Sequence, residues 1–430
     1  MAPNDWIGTR HQRRAIGWGF VDQGLSSITN FGLSLLAGRL LGPSGLGRVF
    51  LAFSIYVIVL ILQRSLVTEA LVAITSALDG EQRARTAALG LTLSLLGGVA
   101  ATIIVLILGW LVPGTAGTAL LLVAPWLLGA LIQDYWRILM FRDRRASAAA
   151  VNDGAWLLVM TAALPLAWAV KTDWAVISVW GLGACGGAAL GFYQTRLSPS
   201  SIRAAWGWWS SEAWPFSRWN AGAAIIGNVG SNTEAFVVAG ILDARALGGL
   251  RAVQSIFAPL SLIAPAIGLP GLPAIARANS VAFRSARKMA VRFSAIALAA
   301  ALVFFVALFM GGWRLLPFLF GPRFRQFRDL IPALATGQAF AAAGVGFLLL
   351  IKAQRRGRYL LFSRLGLMVL DIGAVAWGAA EFGLIGAAWG AALVQLATSV
   401  TFGLGALREP RSTSGPSGPE VGSTFRTPTN

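Results

Sequence analysis

The chain has 430 residues, 56% of them hydrophobic and 12% charged, with a mean hydropathy of +0.69, which excludes a soluble globular domain. The formal net charge of +18 does not indicate a nucleic-acid face, because the basic residues sit in short connections between apolar runs, the pattern of a membrane protein. One cysteine, Cys185, excludes an intramolecular disulfide; with His11 the only histidine, a His/Cys metal site and a histidine-based triad are excluded too, and no cofactor is expected.

The segment 1–14 is polar and basic, with no cleavable signal peptide evident, since the first apolar run is too long and flows into the next helix. About 20 helical residues cross a hydrocarbon core of ~30 Å. On that measure the sequence predicts twelve spans: 16–38, 49–70, 87–112, 117–139, 147–170, 174–193, 214–241, 250–275, 289–312, 329–351, 359–380 and 384–406. The fold expected is an all-α integral membrane protein with two pseudo-symmetric six-helix bundles, 15–193 and 214–406. A cytoplasmic linker, 194–213, joins them, and the Pro/Ser/Gly/Thr-rich tail 407–430 is expected to be disordered. Of the 35 Lys and Arg residues, 24 fall in connections on the side of the termini, 9 on the opposite side (Arg251 counted there), and Arg64 and Arg218 fall within spans. By the positive-inside rule both termini lie in the cytoplasm of a multi-pass inner-membrane protein.

In chain order, the first span carries a polar face: Asp22, Ser26, Asn30 and Ser34 at i+4 spacing, with Gln23 and Ser27 beside them. It lines either a polar helix seam or a water-filled lumen. The run Leu36-Ala37-Gly38-Arg39-Leu40-Leu41-Gly42-Pro43-Ser44-Gly45-Leu46-Gly47-Arg48 follows, then a second apolar helix bearing Arg64. A shift of 202 positions superposes Asn30 on Asn232, Ala37 on Ala239, Gly38 on Gly240, Leu40 on Leu242 and Gly47 on Gly249, a weak repeat of the same helix–turn–helix. Charges at bilayer depth cost a few kcal/mol and face a cavity or a partner. Asp22 and Arg64 each lie about 9 Å from the cytoplasmic ends of adjacent antiparallel spans, so they are predicted neighbours: either a static pair, or one that an anionic substrate opens. Asp134 and Arg137, three apart, are predicted to pair with each other.

Gly183, Gly187 and Gly191 give the sixth span a smooth packing face. Four tryptophans, Trp206, Trp208, Trp209 and Trp214, mark the linker as lying at headgroup level. The seventh span carries Arg218, then Asn228 and Asn232 on one face and Glu234 nearer the outer side, with no basic partner on its own helix. Pro259, Pro265, Pro270 and Pro273 predict a bent or broken eighth span. In the outer connection Phe320–Asp329, Arg323, Arg325 and Arg328 alternate with phenylalanine. They suit phosphate oxygens, either of a substrate in the outer leaflet or of anionic headgroups. Asp371 is the most deeply placed acid, about 18 Å into the eleventh span.

The run ending Leu-Ala-Gly-Arg-Leu-Leu-Gly-Pro-Ser-Gly-Leu-Gly-Arg resembles the polysaccharide-transporter branch of the multidrug/oligosaccharidyl-lipid/polysaccharide exporter superfamily. So do Trp214-Pro215-Phe216, an acid before Gly240 (here Glu234, where aspartate is more usual) and Leu319-Phe320-Gly321-Pro322. The resemblance covers residues 15–406. It implies a flippase for a polyprenyl-diphosphate-linked oligosaccharide, built as two bundles in a V around a cationic lumen and driven by a proton or sodium gradient. By position it implies that Arg64 and Arg218 engage diphosphate or acidic sugars and that Asp22 or Glu234 couples ions; the polar faces add Asn30, Asn228 and Asn232 as lumen candidates for substrate, and depth adds Asp371 as an ion-coupling candidate. Polysaccharide assembly enzymes and membrane lipids would be its partners.

A cation-coupled multidrug exporter of the same superfamily is the alternative; it would show lumen acids without basic partners. A membrane glycosyltransferase is disfavoured: the longest outer connection, 312–328, holds no acid.

Overall fold

The computed structural model describes residues 10–75, 78, 80–311, 314–354 and 356–408; the side chains of Asp22, Gln23, Asn228 and Asn232 also lie outside the description, as does most of the tail. Helices account for nearly all of it: α1 (Arg10–Gln63), α2 (Glu69–Thr75), α3 (Gly80–Leu111), α4 (Gly114–Arg142), α5 (Ala146–Val170), α6 (Asp173–Thr195) and α7 (Ile202–Trp208), then α8 (Trp214–Ile241), α9 (Ala244–Ile256), α10 (Ile263–Val281), α11 (Phe283–Gly311), α12 (Leu315–Phe320), α13 (Ile331–Ala353) and α14 (Gly357–Leu407). No strand occurs among the described residues. A chain crossing hydrocarbon must satisfy every backbone N–H and C=O internally, and a helix does so within one segment.

Among the described residues, eight helical stretches are long and apolar enough to cross a bilayer. Two of them, Gly24–Thr75 and Gly357–Leu407, have 52 and 51 residues, enough to cross twice at 1.5 Å per residue. Each is folded back at a glycine whose φ is positive, Gly42 (φ 73°) and Gly383 (φ 63°), where a residue with a Cβ would be strained. Pro43 then follows as the first residue of the returning helix, where its missing N–H costs nothing.

The eighth predicted span is interrupted at the first of its four prolines, while α10 runs on through the other three. Helix α9 stops at Ile256, a 3-10 turn covers Ala258–Leu262 around Pro259, and α10 resumes at Ile263. It starts six residues earlier than the apolar run suggests, because Asp243 accepts from the Ala246 N–H at 2.7 Å and caps α9 there. Helix α1 likewise begins at Arg10, inside the basic segment.

In the first half α1 packs on α4, α5 and α6, α3 on α4, and α6 on both α4 and α5. In the second, α13 packs on α14, α11 and α10, and α8 lies against α14. Helix α1 also runs alongside α8 and α9, so it carries contacts from one half to the other. The glycine face of α6 lets bulky neighbours lie flush: a Cβ on Gly183 would meet Trp156 at 2.3 Å, and one on Gly191 would meet Trp136 at 2.0 Å. The tryptophan-rich linker is helical, α7 running into a π-helical turn at Trp209–Ala213, with Trp206, Trp209 and Trp214 stacked at centroid spacings of 5.1 and 4.9 Å.

Candidate functional site: two cavities flanking the first helix

The larger cavity, about 1020 Å³, lies between α1 and the helices of the second half. Its walls carry Asn30 and Phe31 from α1, Glu234 from α8, Arg251 and Gln254 from α9, Gln338 from α13 and Gln395 from α14. This volume is at the top of the ~300–1,000 Å³ range of small-molecule sites. A smaller cavity, about 260 Å³, lies on the other side of α1 within the first half, lined by Tyr56, Arg64, Gln133, Asp134, Arg137 and Asp153 among others. Asn30 lines both, so α1 is the wall between them.

Arg64 sits at the start of a π-helical turn, Arg64–Thr68, that interrupts the second leg of the α1 hairpin. Such a turn leaves carbonyls without their usual helical donors. The Leu66 carbonyl accepts from Trp209 Nε1 at 3.0 Å and from Ser217 Oγ at 2.9 Å, so the linker and the start of α8 hold the turn that carries Arg64.

The Arg64 guanidinium forms a two-pronged pair with Asp134 on α4, Nε to Oδ2 at 2.8 Å and Nη2 to Oδ1; the side chain of Asp22, its predicted neighbour, lies outside the described residues. Asp134 therefore does not pair with Arg137. Arg137 lies 3.5 Å from Asp153, which also accepts from Gln133 Nε2 at 2.8 Å. Helical spacing favours an i, i+3 pair only where the two side chains lack better partners; here α4 turns Asp134 towards α1 and Arg137 towards α5. Gln133 donates to Asn152 as well, at 3.1 Å, and Asn152 donates to the Gly187 carbonyl at 2.8 Å, so α4, α5 and α6 are tied by one polar network.

Because the carboxylate of Asp134 is only 4% exposed, its arginine cannot be replaced by water without cost. Breaking a fully buried pair costs about 3–5 kcal/mol; Arg64 is 34% exposed towards the cavity, which reduces this to roughly 1–3 kcal/mol. Asp134→Asn is expected to lower the unfolding midpoint of the purified protein, and Arg64→Gln added to it to recover at least half the loss. Equal stability of Asp134→Asn and wild type would remove the pair from the fold's support.

In the larger cavity the charges are arranged differently. Glu234 and Arg251 stand about seven residues from the same ends of α8 and α9, hence at matching depths of about 10 Å. Glu234 Oε2 is 3.5 Å from Gln254 Nε2, while its Oε1 is buried with no hydrogen-bond partner among the described residues. Arg251 lies over the Phe50 ring, 4.4 Å from guanidinium carbon to centroid; its Nε is likewise buried without a partner, and it makes no salt bridge among the described residues. A span starting at 250 puts Arg251 at its very edge, where it counts with the outer connection; the Asp243 cap is the signal that places it two turns inside a helix. Asp371 is half-buried on α14 and close enough to Glu234 for their charges to interact.

Arg218 lies exposed near the start of α8, outside the linings of both cavities. Asn228 and Asn232, also expected at the substrate site, fall outside the described side chains.

The cavity is closed on the face carrying Gly42. Gly47 and Gly248 meet reciprocally there: a Cβ on Gly47 would lie 1.7 Å from the Ala244 carbonyl oxygen, and one on Gly248 1.8 Å from that of Pro43. Above them, the alternating Phe/Arg segment forms a 3-10 turn, Pro322–Leu330, that buries its phenylalanines and exposes its arginines. Phe320, Phe324 and Phe327 pack as a row at 5.4 and 6.1 Å; Phe320 lies on Gly38 and Phe327 on Gly249. Arg39 donates to the carbonyls of Phe318 and Leu319, closing the end of α12 from the opposite half. Arg323 lies over Gly42, Arg325 faces solvent, and Arg328 is 3.7 Å from Asp329.

No family model matches this sequence, and no curated protein matches it. Solved structures do. A lipid II flippase MurJ in an inward closed conformation superposes with a TM-score of 0.72 at 13% identity, over 92% of this chain and 88% of that one. An inward-facing multidrug-resistance MATE family transporter of the MOP superfamily gives 0.64 at 15% identity, over 90% and 97%. A MOP superfamily transporter from Pyrococcus furiosus gives 0.62 at 14% identity, over 91% and 93%. These likenesses show the fold: this chain is an all-α, multi-pass membrane protein built like the lipid II flippase and MATE-family structures.

Proposed function

We propose that this protein flips a polyprenyl-diphosphate-linked oligosaccharide across the cytoplasmic membrane, for surface-polysaccharide assembly. It works by alternating access between bundles 15–193 and 214–406 and catalyses no covalent step. The observation that carries this reading is Arg251, a guanidinium without an acid partner among the described residues, set in the wall of a cavity of about 1020 Å³. A guanidinium matches phosphate geometry, and an unpaired charge at this depth is retained at a cost that a substrate anion would offset. Arg64, paired with Asp134, serves substrate only after that pair opens, and Arg218 meets headgroups at the cytoplasmic surface. With both termini in the cytoplasm, the face closed by Gly47 and Gly248 is the outer one, where Arg323, Arg325 and Arg328 meet phosphate oxygens. Glu234 and Asp371 bind the driving proton or sodium ion, with Asp22 on α1 a further acid in the coupling. The likeness to a lipid II flippase supports the same class of substrate.

The test is reconstitution in liposomes with a fluorescent prenyl-diphosphate oligosaccharide. Protein should expose the inner-leaflet half of the lipid to a membrane-impermeant glycosidase, reaching nearly complete cleavage where protein-free vesicles stop near one half. Cleavage that stays at one half removes the reading.

A second reading, a cation-coupled multidrug exporter, is favoured by one feature: the Glu234 carboxylate faces a cavity walled by Phe31, Phe257 and Phe304, a setting that suits an aromatic cation. Efflux of such a cation from the same vesicles, with no effect on the glycolipid, would select it.

A further inference from the structure

The larger cavity holds three side-chain amides, of which the sequence singles out only Asn30. Asn30, Gln338 and Gln395 approach it from α1, α13 and α14, and none of the three makes a side-chain hydrogen bond among the described residues. Gln338 and Gln395 sit together: Gly337, beside Gln338, faces Ala392 and the Gln395 side chain, 3.9 Å from where its Cβ would be. Each primary amide offers two donors and an acceptor with two lone pairs. In an otherwise largely apolar wall that capacity is unspent: Gln338 and Gln395 are exposed and Asn30 is half-buried, so their amides are open to a ligand in the cavity.

We propose that this cavity selects a headgroup whose sugars are neutral, the amides of Asn30, Gln338 and Gln395 holding hydroxyl and acetamido groups while Arg251 holds a single phosphate. The proposal rests on the flippase reading and names its substrate class. A sugar hydroxyl both donates and accepts, as an amide does, so each amide can spend both of its ends on it. A sugar carboxylate only accepts, and would enter a cavity that already contains Glu234 and offers one guanidinium, already assigned to phosphate. The aromatic faces of Phe31 and Phe257 in the same wall suit the C–H faces of a pyranose ring. Arg64 and Arg137, the basic residues of the smaller cavity, are matched by Asp134 and Asp153 and add no net positive charge for an acidic sugar.

The experiment uses the full-length protein in lipid nanodiscs and three probes: a short prenyl diphosphate, the same lipid bearing two N-acetylhexosamines, and the same lipid with one of those sugars replaced by a hexuronic acid. Wild type is expected to bind the neutral glycolipid about tenfold more tightly than the bare prenyl diphosphate, and the uronic-acid lipid at least tenfold more weakly than the neutral one. In Gln338→Leu/Gln395→Leu the ratio of neutral glycolipid to bare lipid should fall to near one; in Glu234→Gln the uronic-acid lipid should gain. The proposal is overturned if the double variant keeps the wild-type ratio, or if the uronic-acid lipid binds wild type as tightly as the neutral one. Those outcomes leave the flippase reading standing. Absence of binding by all three lipids would overturn that reading and this proposal with it.

Discussion

Arg251→Gln is expected to reduce glycolipid flipping by at least tenfold while leaving the protein at least as stable as wild type. The two effects have one cause. In the resting protein the Arg251 guanidinium is held only by the Phe50 ring, at 4.4 Å, and its Nε has no partner among the described residues. A cation over a ring contributes about 0.5–2 kcal/mol, less than the cost of at least a few kcal/mol for a charge at bilayer depth. Glutamine removes that cost and keeps a polar side chain of similar reach, so the melting temperature should hold or rise. A hydrogen bond to a charged group contributes about 1.5–3 kcal/mol, which at 1.4 kcal/mol per decade is roughly 10- to 150-fold in the step that uses it. Arg251→Lys should fall between, since an ammonium keeps the charge but loses the planar fork. The measurement is the initial rate of glycosidase accessibility in proteoliposomes, with thermal unfolding of the same preparations. A variant that melts lower and flips normally would make Arg251 a structural residue and leave the cavity without its phosphate site.

That this residue escapes a reading of apolar runs, while Arg64 does not, shows where such a reading ends. Spans are legible because hydrophobic length is a local property and because hydrocarbon allows a single helical segment almost no alternative. The two hairpins, the break at Pro259 and the glycine face of α6 all follow from residue types at short spacing. Pairing is different. Depth along a helix follows from residue number, but it is one coordinate of three, and it does not single out Asp134 as the partner of Arg64. That Asp134 receives the guanidinium depends on the rotation of α1 against α4, and the π-helical turn at Arg64–Thr68 enters that rotation in a way no hydropathy pattern records. Arg251 illustrates the complementary failure. Its charge and the Gly248-Gly249 pair lower local hydropathy and move the apparent start of the span, although Asp243 marks the true start. The cavity amides were legible as residues but not as a group, since Asn30, Gln338 and Gln395 are brought together only by tertiary packing.

The second large effect concerns the closed face. Gly47→Ala, and equally Gly248→Ala, should shift the protein towards the state open on the side of Gly42. In each case the added methyl would meet a backbone carbonyl oxygen of the opposite half, that of Ala244 or Pro43, at 1.7 or 1.8 Å. No rotamer change relieves such a clash; only separation of the two hairpins does. The penalty acts on the closed state alone, because it arises from a contact that the open state lacks. Overpacking costs typically about 1–3 kcal/mol, so the closed-to-open ratio should fall by roughly 5- to 150-fold. Spin labels at the exposed positions Thr118 and Glu381, on opposite halves near this face, should report longer distances in either variant. Gly97→Ala, where a methyl meets nothing within 4 Å, should leave the distribution as in wild type. With the proposed orientation and cycle, flipping should fall in both hairpin variants, because a protein that cannot close this face cannot reload from the other. Unchanged distances in Gly47→Ala and Gly248→Ala would mean that the hairpins yield locally, and that the reciprocal glycines are not what holds this face shut.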